Sequence, residues 1–451
     1  MAVIHLLCFL LTSILHVVAA YDDPLVHLDY GTFQGKYNPT YNISYFRRIP
    51  FGASTAGPNR FRAPQPPPPI LNGTYDTDQS FDMCPQRTVN GSEDCLYLGL
   101  YSRPWTPPSL RPVLVVFYGG GFIEGSASFS IPPSFYPTLN VSTENDFIIV
   151  YPNYRVNAFG FLPGRKIKES NGLADLNVGL LDQQAALGWV HNHISAFGGD
   201  PGNVTIQGQS AGGGSVVSQV IANGGKTQPQ LFSRALAGSP FWPKTYAYDD
   251  PEAEQLYDLL VNMTGCGNLT EDSLVCLKNV DVQVIRNASL AISGLNTYTT
   301  SSYNWAPVID GSFIRSPLTS LLSGEVNPQV SWAMYNTHEG ENFIPSFSGA
   351  NDSEAGFDSW LRGYLPRFNE VQIGEVKKLY PLNGTTENTI LNTTSVRAGM
   401  VYRDTVLSCP GLWIAETSGK GYIGEYTIPP ARHGSDTQFV RTCFPSSRCK
   451  D

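Results

Sequence analysis

The most constraining stretch of this chain is Phe197–Gly214, FGGDPGNVTIQGQSAGGG. Its centre, Gly208-Gln209-Ser210-Ala211-Gly212, follows the β-branched run Val204-Thr205-Ile206 and precedes a segment able to start a helix. A serine so placed sits on a sharp strand-to-helix turn with its hydroxyl pushed outward. Gly208 and Gly212 let the two backbones pass closely, since glycine tolerates φ/ψ values other residues avoid. The helix N-terminus beneath Ser210 offers free N–H groups and a positive dipole end, both suited to a developing oxyanion. The chain must therefore contain a parallel strand whose C-terminal end feeds a helix directly.

Other segments repeat that grammar. Leu114–Tyr118 is a short apolar run ending in Gly119-Gly120-Gly121, and Phe147–Tyr151 is a second such run; both read as buried parallel strands. Residues 180–194 (LLDQQAALGWVHNHI) have helical spacing, with Leu181, Ala185, Leu187 or Gly188, and Val190 near one face. A helix is expected from about Ala211 to Ile221 and a strand over Val330–Tyr335. Strands alternating with helices give an α/β class with a central, mostly parallel, twisted sheet covered on both faces. Pro64–Pro69 is a surface connector. The segment from about Asp250 to Met400 reads as more helical and irregular, an insertion packed over the sheet's C-terminal edge.

Residues 2–20 hold no Asp, Glu, Lys or Arg and end in Ala19-Ala20. They read as a secretory signal peptide, with residues 21–451 forming one domain. No other long apolar segment follows, so stable membrane insertion is not expected. Secretion agrees with eleven N-x-S/T sequons. Glycosylation is expected at Asn42, Asn72, Asn90, Asn140, Asn262, Asn268, Asn287, Asn351, Asn383 and Asn392. Asn203, just before the serine strand, is set aside as poorly placed for a glycan. Past the signal peptide seven cysteines remain: close spacing suggests Cys84–Cys95 and Cys266–Cys276 as local disulfides, while Cys409, Cys443 and Cys449 leave an odd thiol. There is no C-x-x-C pair, so no metal is expected. A net charge of −9 and the lack of a basic stripe argue against nucleic acid as a partner. Nothing in the sequence fixes an oligomeric state.

A nucleophilic serine needs a base, an acid to orient the base, and donors for an oxyanion. In the α/β-hydrolase arrangement, which this serine turn resembles, the order is Ser, acid, His. Of seven histidines, His5 and His16 lie in the signal segment, His27, His191 and His193 precede Ser210, and His338 lies beside the expected acid. Only His433, in the loop Ala431–Asp436, follows the acid, and it is the expected base. The acid is expected at Glu339, directly after the Val330–Tyr335 strand, because Gly340 allows a turn that tucks the carboxylate inward; Glu341 is the runner-up. Gly120, Gly121 and the N–H of Ala211 are the expected oxyanion donors. No cofactor is required. Trp242, Trp305 and nearby Phe residues are candidates for an acyl pocket or for ordinary core.

Together these segments resemble the type-B carboxylesterases, the family of cholinesterases and secreted fungal lipases. The matching stretches are RIPFG at 48–52, NRFRAPQP at 59–66, SEDCLYL at 92–98 and YGGGF at 118–122. They continue with NYRVNAFGFL at 153–162, residues 177–201, GQSAGG at 208–213, PVIDGSF at 307–313, HEG at 338–340 and RHGSD at 432–436. The resemblance implies an α/β-hydrolase fold and a triad of Ser210, Glu339 and His433. It also implies the oxyanion hole of Gly120, Gly121 and Ala211, and the disulfides Cys84–Cys95 and Cys266–Cys276. Four departures shape the expectation. Gln209 stands where the family usually has Glu. The Cys84–Cys95 loop has only ten intervening residues and no Trp, which disfavours a choline-type cation and a lipase lid. Gly99 follows CLYL where a polar residue is usual. The sequence stops soon after RHGSD, where the family adds helices, so the domain is expected to be incomplete at its C-terminus. The resulting expectation is a secreted serine ester hydrolase acting through an acyl-enzyme on small neutral carboxylic esters. The alternatives are a lipase for longer acyl chains or a non-catalytic binding or adhesion protein on the same scaffold.

Overall fold

The computed structural model describes residues 22–437, apart from 107, 109, 128–129, 142–145, 269–271, 296–302 and 387–388. The segment read as a signal peptide, together with Cys443 and Cys449, lies outside the described residues. A nine-stranded sheet organises the rest. From edge to edge its strands are Lys420–Tyr426, Val330–Asn336, Arg234–Gly238, Gly199–Gln209, Arg111–Phe117, Ile148–Pro152, Tyr97–Ser102, Ile43–Pro50 and Lys36–Asn38. Neighbours are parallel from Lys420–Tyr426 through Ile148–Pro152 and antiparallel thereafter. Strands Leu25–Leu28, Gly31–Gln34 and Thr74–Asp76 form a separate small sheet.

The chain runs from Arg111–Phe117 outward to Ile148–Pro152, then returns to the other side of Arg111–Phe117 as Gly199–Gln209. The order of strands reverses there. In open α/β sheets a crevice opens at that point beyond the strands' carboxyl ends. Register puts Phe117 opposite Gly208, Gln209 opposite Gly238, and Gly238 opposite Met334. The turns after these strands therefore lie at one level.

Along Arg111–Phe117, Arg234–Gly238 and Val330–Asn336 one face is more deeply buried than the other. Val113, Val115, Phe117, Ala235, Ala237, Ser331 and Ala333 are buried. The opposite face carries Leu114, Val116, Gln207, Leu236, Trp332 and Met334, all only half-buried. On that second face the antiparallel end is covered by a cluster of Ile43, Tyr45, Tyr101, Phe135, Ile149 and Tyr151. The helical insertion expected after Asp250 is present as Pro251–Met263, Ser273–Asn279, Val282–Gly294, Glu354–Tyr364, Glu370–Leu379 and Thr394–Tyr402. Asp272 and Asp281 cap two of these helices, accepting from free first-turn N–H groups.

One expectation about helix faces needs correcting. In Val178–His193, Leu181 and Ala185 are only half-buried, whereas Asp182 and Gln183 are fully buried. The helix is enclosed on most sides, and its buried polar groups have dedicated partners. Asp182 receives Arg155 Nε and Nη2 at 2.8 and 2.7 Å, and Gln183 Nε2 donates to Ser215 Oγ at 2.8 Å. Paired in this way, polar residues occupy positions that an apolar-face rule reserves for aliphatics.

Candidate active site

The turn after strand Gly199–Gln209 is built by close approach. A Cβ on Gly208 would lie 2.1 Å from Gly212 O, and one on Gly212 would lie 2.2 Å from Phe117 O. Between them Ser210 adopts φ 61°, ψ −127°, a conformation strained for a residue with a Cβ. Its backbone is locked on both sides: Ser210 N–H donates to Gly238 O at 2.9 Å, and Ser210 O accepts from Phe241 N–H at 2.9 Å. Ala211 then opens the helix Ala211–Gly225.

The loop after Arg111–Phe117 wraps in front of this turn. Gly120 has φ 120° and Gly121 has φ 64°. Added Cβ atoms would meet Glu124 O at 2.1 Å and the Tyr303 ring at 3.0 Å respectively. Among the described residues, the N–H groups of Gly120, Gly121 and Ala211 donate to no protein group. The loop is fixed from behind. Tyr154 Oη donates to Tyr118 O at 2.7 Å, and Tyr118 Oη donates back to Tyr154 O. Burial pushes both phenols above their ordinary range, so they stay neutral donors. Asn157 N–H donates to Phe122 O at 2.7 Å, and Gln86 exchanges two bonds with the backbone of Gly125. Gln86 lies next to the Cys84–Cys95 disulfide, so that bridge helps anchor the glycine loop.

The candidate base and acid lie on the loops after the next two strands. Glu339 follows Val330–Asn336 and is fully buried. His433 follows Lys420–Tyr426, and its Nδ1 lies 2.9 Å from Glu339 Oε2. A carboxylate accepts there, which places the ring proton on Nδ1 and the lone pair on Nε2. The His433 backbone N–H donates to Asn342 Oδ1 at 3.1 Å, and the Phe343 ring meets the imidazole edge-on at 4.9 Å. Ser210 and His433 line one cavity of about 750 Å³ with Gly119, Gly120 and Gln209. Among the described residues Ser210 Oγ makes no bond to the ring. Gln209 Nε2 instead lies 3.4 Å from His433 Nε2. Bonds of this kind often tighten only around substrate.

Glu341 and His338 are accounted for separately. His338 Nδ1 lies 3.1 Å from Glu341 Oε1, and Arg432 approaches the same carboxylate at 3.9 Å. Trp242 and Trp305 lie in the core, and Trp305 Nε1 donates to Ser289 O at 2.9 Å. The aromatic ring against His433 is instead Phe343, which also meets Phe241, Tyr303 and Tyr402, while Phe241 meets Tyr303. Cys266 and Cys276 are bridged, and Cys409 carries a free thiol. The side chains of Asn42, Asn72, Asn90, Asn140, Asn262, Asn287, Asn351, Asn383 and Asn392 are exposed, and that of Asn268 lies outside the described residues. Asn203 is half-buried and accepts from Arg234. Sequence reasoning missed Asn336, Asn342 and Asp436 around the acid and base. The RHGSD segment contains Asp436, but nothing in that string marks it as buried.

A serine on a strand–helix turn at a sheet's topological switch, facing a carboxylate-held imidazole, defines the α/β-hydrolase class. The carboxylesterase family profile matches residues 22–418, and the chain belongs to that family. The match contains Ser210 and Glu339, whereas His433 lies beyond it. Carboxylesterase patB of Aspergillus clavatus is 33% identical over 82% of this chain and 67% of its own length. Secreted lipase 1 of Botryotinia fuckeliana is 33% identical over 62% of this chain and 54% of its own. The chain thus spans between about half and two thirds of the length of these relatives. Among solved structures, EstA of Aspergillus niger superposes with a TM-score of 0.74 at 29% identity, covering 88% of this chain and 75% of that one.

Proposed function

We propose that this protein is a secreted serine carboxylic ester hydrolase that works through an acyl-enzyme. The observation that carries the reading is the Glu339–His433 pair at 2.9 Å, opening on the cavity that Ser210 lines. Ser210 Oγ attacks the ester carbonyl while its proton passes to His433 Nε2. The carbonyl oxygen takes up negative charge against the N–H groups of Gly120, Gly121 and Ala211. The C–O bond to the alcohol breaks as His433 returns the proton to the leaving oxygen. Water, deprotonated by His433, then frees the acid and Ser210. Export is supported by the apolar residues 2–20, the two disulfides and the secreted lipase among the relatives.

The preferred substrates in this reading are small neutral carboxylic esters. Gln209 puts no charge beside the serine, and the ten-residue Cys84–Cys95 loop carries no Trp for a choline group. A second reading has one specific observation behind it. The cavity continues along the sheet past Val116, Leu236, Trp332 and Met334, an apolar path suited to a longer acyl chain. A series of p-nitrophenyl acetate, butyrate and octanoate separates the two, the first predicting the highest kcat/KM on the short esters. A fluorophosphonate should label Ser210, and a folded protein that hydrolyses none of the esters and takes no label would refute both.

The glycine loop provides a further check. Gly120→Ala places a methyl 2.1 Å from Glu124 O at φ 120°. The loop must shift, and with it an oxyanion donor. We expect kcat to fall about 10²–10³-fold, with a loss of stability on the order of 1–3 kcal/mol from the strained backbone. Steady-state kinetics with a thermal melt tests it, and kcat within threefold of the parent would remove Gly120 from the oxyanion hole.

A further inference from the structure

The acid side of the site holds a second buried carboxylate that the mechanism above does not use. Asp436 is 5% exposed, lines the same cavity as Ser210 and His433, and has no cationic partner among the described residues. Its Oδ1 accepts from Asn336 Nδ2 at 3.0 Å. The same Nδ2 lies 3.3 Å from Glu339 Oε2 and 3.0 Å from Ser239 Oγ, and the Asn336 backbone N–H donates to Glu339 Oε1 at 3.1 Å. One amide thus joins two buried acids. Asn336 Oδ1, on the other side of that amide, is buried without a partner among the described residues. An orphaned acceptor of this kind is normally avoided. Here the reverse orientation would set a carbonyl oxygen against two carboxylates, which is worse.

We infer that Asp436 is a positioning residue. Through Asn336 it holds Glu339 in place behind His433, and it supplies a second negative charge that favours the imidazolium formed during the reaction. Two features of the site support this. Residue 209, directly before the nucleophile, is a neutral glutamine, so the serine turn contributes no charge of its own. The remaining charged groups around His433 are committed elsewhere. Glu339 holds Nδ1; Glu341 pairs with His338 and faces Arg432; Glu425 accepts from Thr337 at 2.8 Å and lies 3.8 Å from Arg403. Asp436 is the described acid beside the cavity that remains unpaired with a cation.

The inference rests on the triad reading above, and the test separates the two. Asp436→Asn keeps an acceptor for Asn336 and removes the charge, while Asp436→Ala removes both. Each is measured with p-nitrophenyl butyrate across pH, alongside the parent and a thermal melt. Losing a nearby negative charge disfavours the protonated ring. The acid limb of kcat/KM should therefore move to lower pH by about half to one unit. Above the limb kcat should fall about three- to tenfold with little change in KM. Gln209→Glu places a carboxylate at a position 3.4 Å from His433 Nε2. In the double variant D436N/Q209E the limb should return toward its parental place. An unmoved limb in D436N and D436A, or no rescue in the double variant, overturns the role of Asp436. A parent protein that neither hydrolyses the ester nor takes a fluorophosphonate label at Ser210 overturns the triad reading itself.

Discussion

Ser210→Gly is expected to abolish esterase activity and make the protein more stable. Removing the hydroxyl removes the nucleophile, and kcat should fall by on the order of 10⁶, as for loss of a triad serine elsewhere. The stability change has a separate cause. At φ 61°, ψ −127° a Cβ is unfavourable, and strain of this type costs about 1–3 kcal/mol. Glycine relieves it but gains unfolded-state entropy, which opposes the benefit by about 0.4–1 kcal/mol. A net gain of about 1 kcal/mol remains. Ser210→Ala serves as the paired control, since it loses the hydroxyl but keeps the Cβ and hence the strain. It should be as inactive as the glycine variant and no more stable than the parent. Denaturant melts of the three proteins read this difference directly. If the glycine and alanine variants have equal stability, the turn stores no strain. Retained hydrolysis in either means that the nucleophile lies elsewhere.

The parts of this molecule that sequence revealed are those where local chemistry and global role coincide. Gly208 and Gly212 had to be small because strand and helix backbones cross there, and the structure gives each a blocked Cβ position. The apolar runs Leu114–Tyr118 and Phe147–Tyr151 correspond to the central strands Arg111–Phe117 and Ile148–Pro152, whose positions are fixed by burial. Chain order singles out His433 as the candidate base, and its Nδ1 pairs with Glu339 while Glu341 pairs with His338. What stayed hidden depended on distant partners. Strand Lys420–Tyr426 is glycine-rich with Tyr422 and Ile423 exposed, so as an edge strand it shows no apolar alternation. The burial of Asp182 and Gln183 is not legible in the helical spacing, because their partners Arg155 and Ser215 are remote in sequence. For Trp242 and Trp305 the sequence leaves pocket wall and core open, and both lie in the core. The second acid at Asp436 becomes visible only when strand Val330–Asn336 and the loop after Lys420–Tyr426 are side by side, because Asn336 connects them.

Glu339→Gln should lower kcat about 10⁴-fold with little change in fold, the size of effect produced by neutralising the triad acid in a serine protease. The reason lies in the donors that converge on this carboxylate. Oε1 accepts the Asn336 backbone N–H at 3.1 Å, while Oε2 faces both His433 Nδ1 and Asn336 Nδ2. A carboxylate accepts all three. An amide offers one oxygen and one NH₂, so a donor must point either at the Asn336 N–H or toward His433 and the Asn336 amide. Turned toward His433, the NH₂ favours the tautomer with its lone pair on Nδ1 and its proton on Nε2. The ring then cannot take the proton from Ser210, and the imidazolium loses its counter-charge in either orientation. Glu339→Asp keeps the charge at a shorter reach and should lose far less. Glu341→Gln should change kcat by less than threefold, because that carboxylate serves His338 and Arg432. Burst kinetics with p-nitrophenyl acetate and the rate of fluorophosphonate labelling report the acylation step for all three. An E339Q protein that acylates within tenfold of the parent, or an E341Q protein that does not, would move the acid from Glu339 to its neighbour.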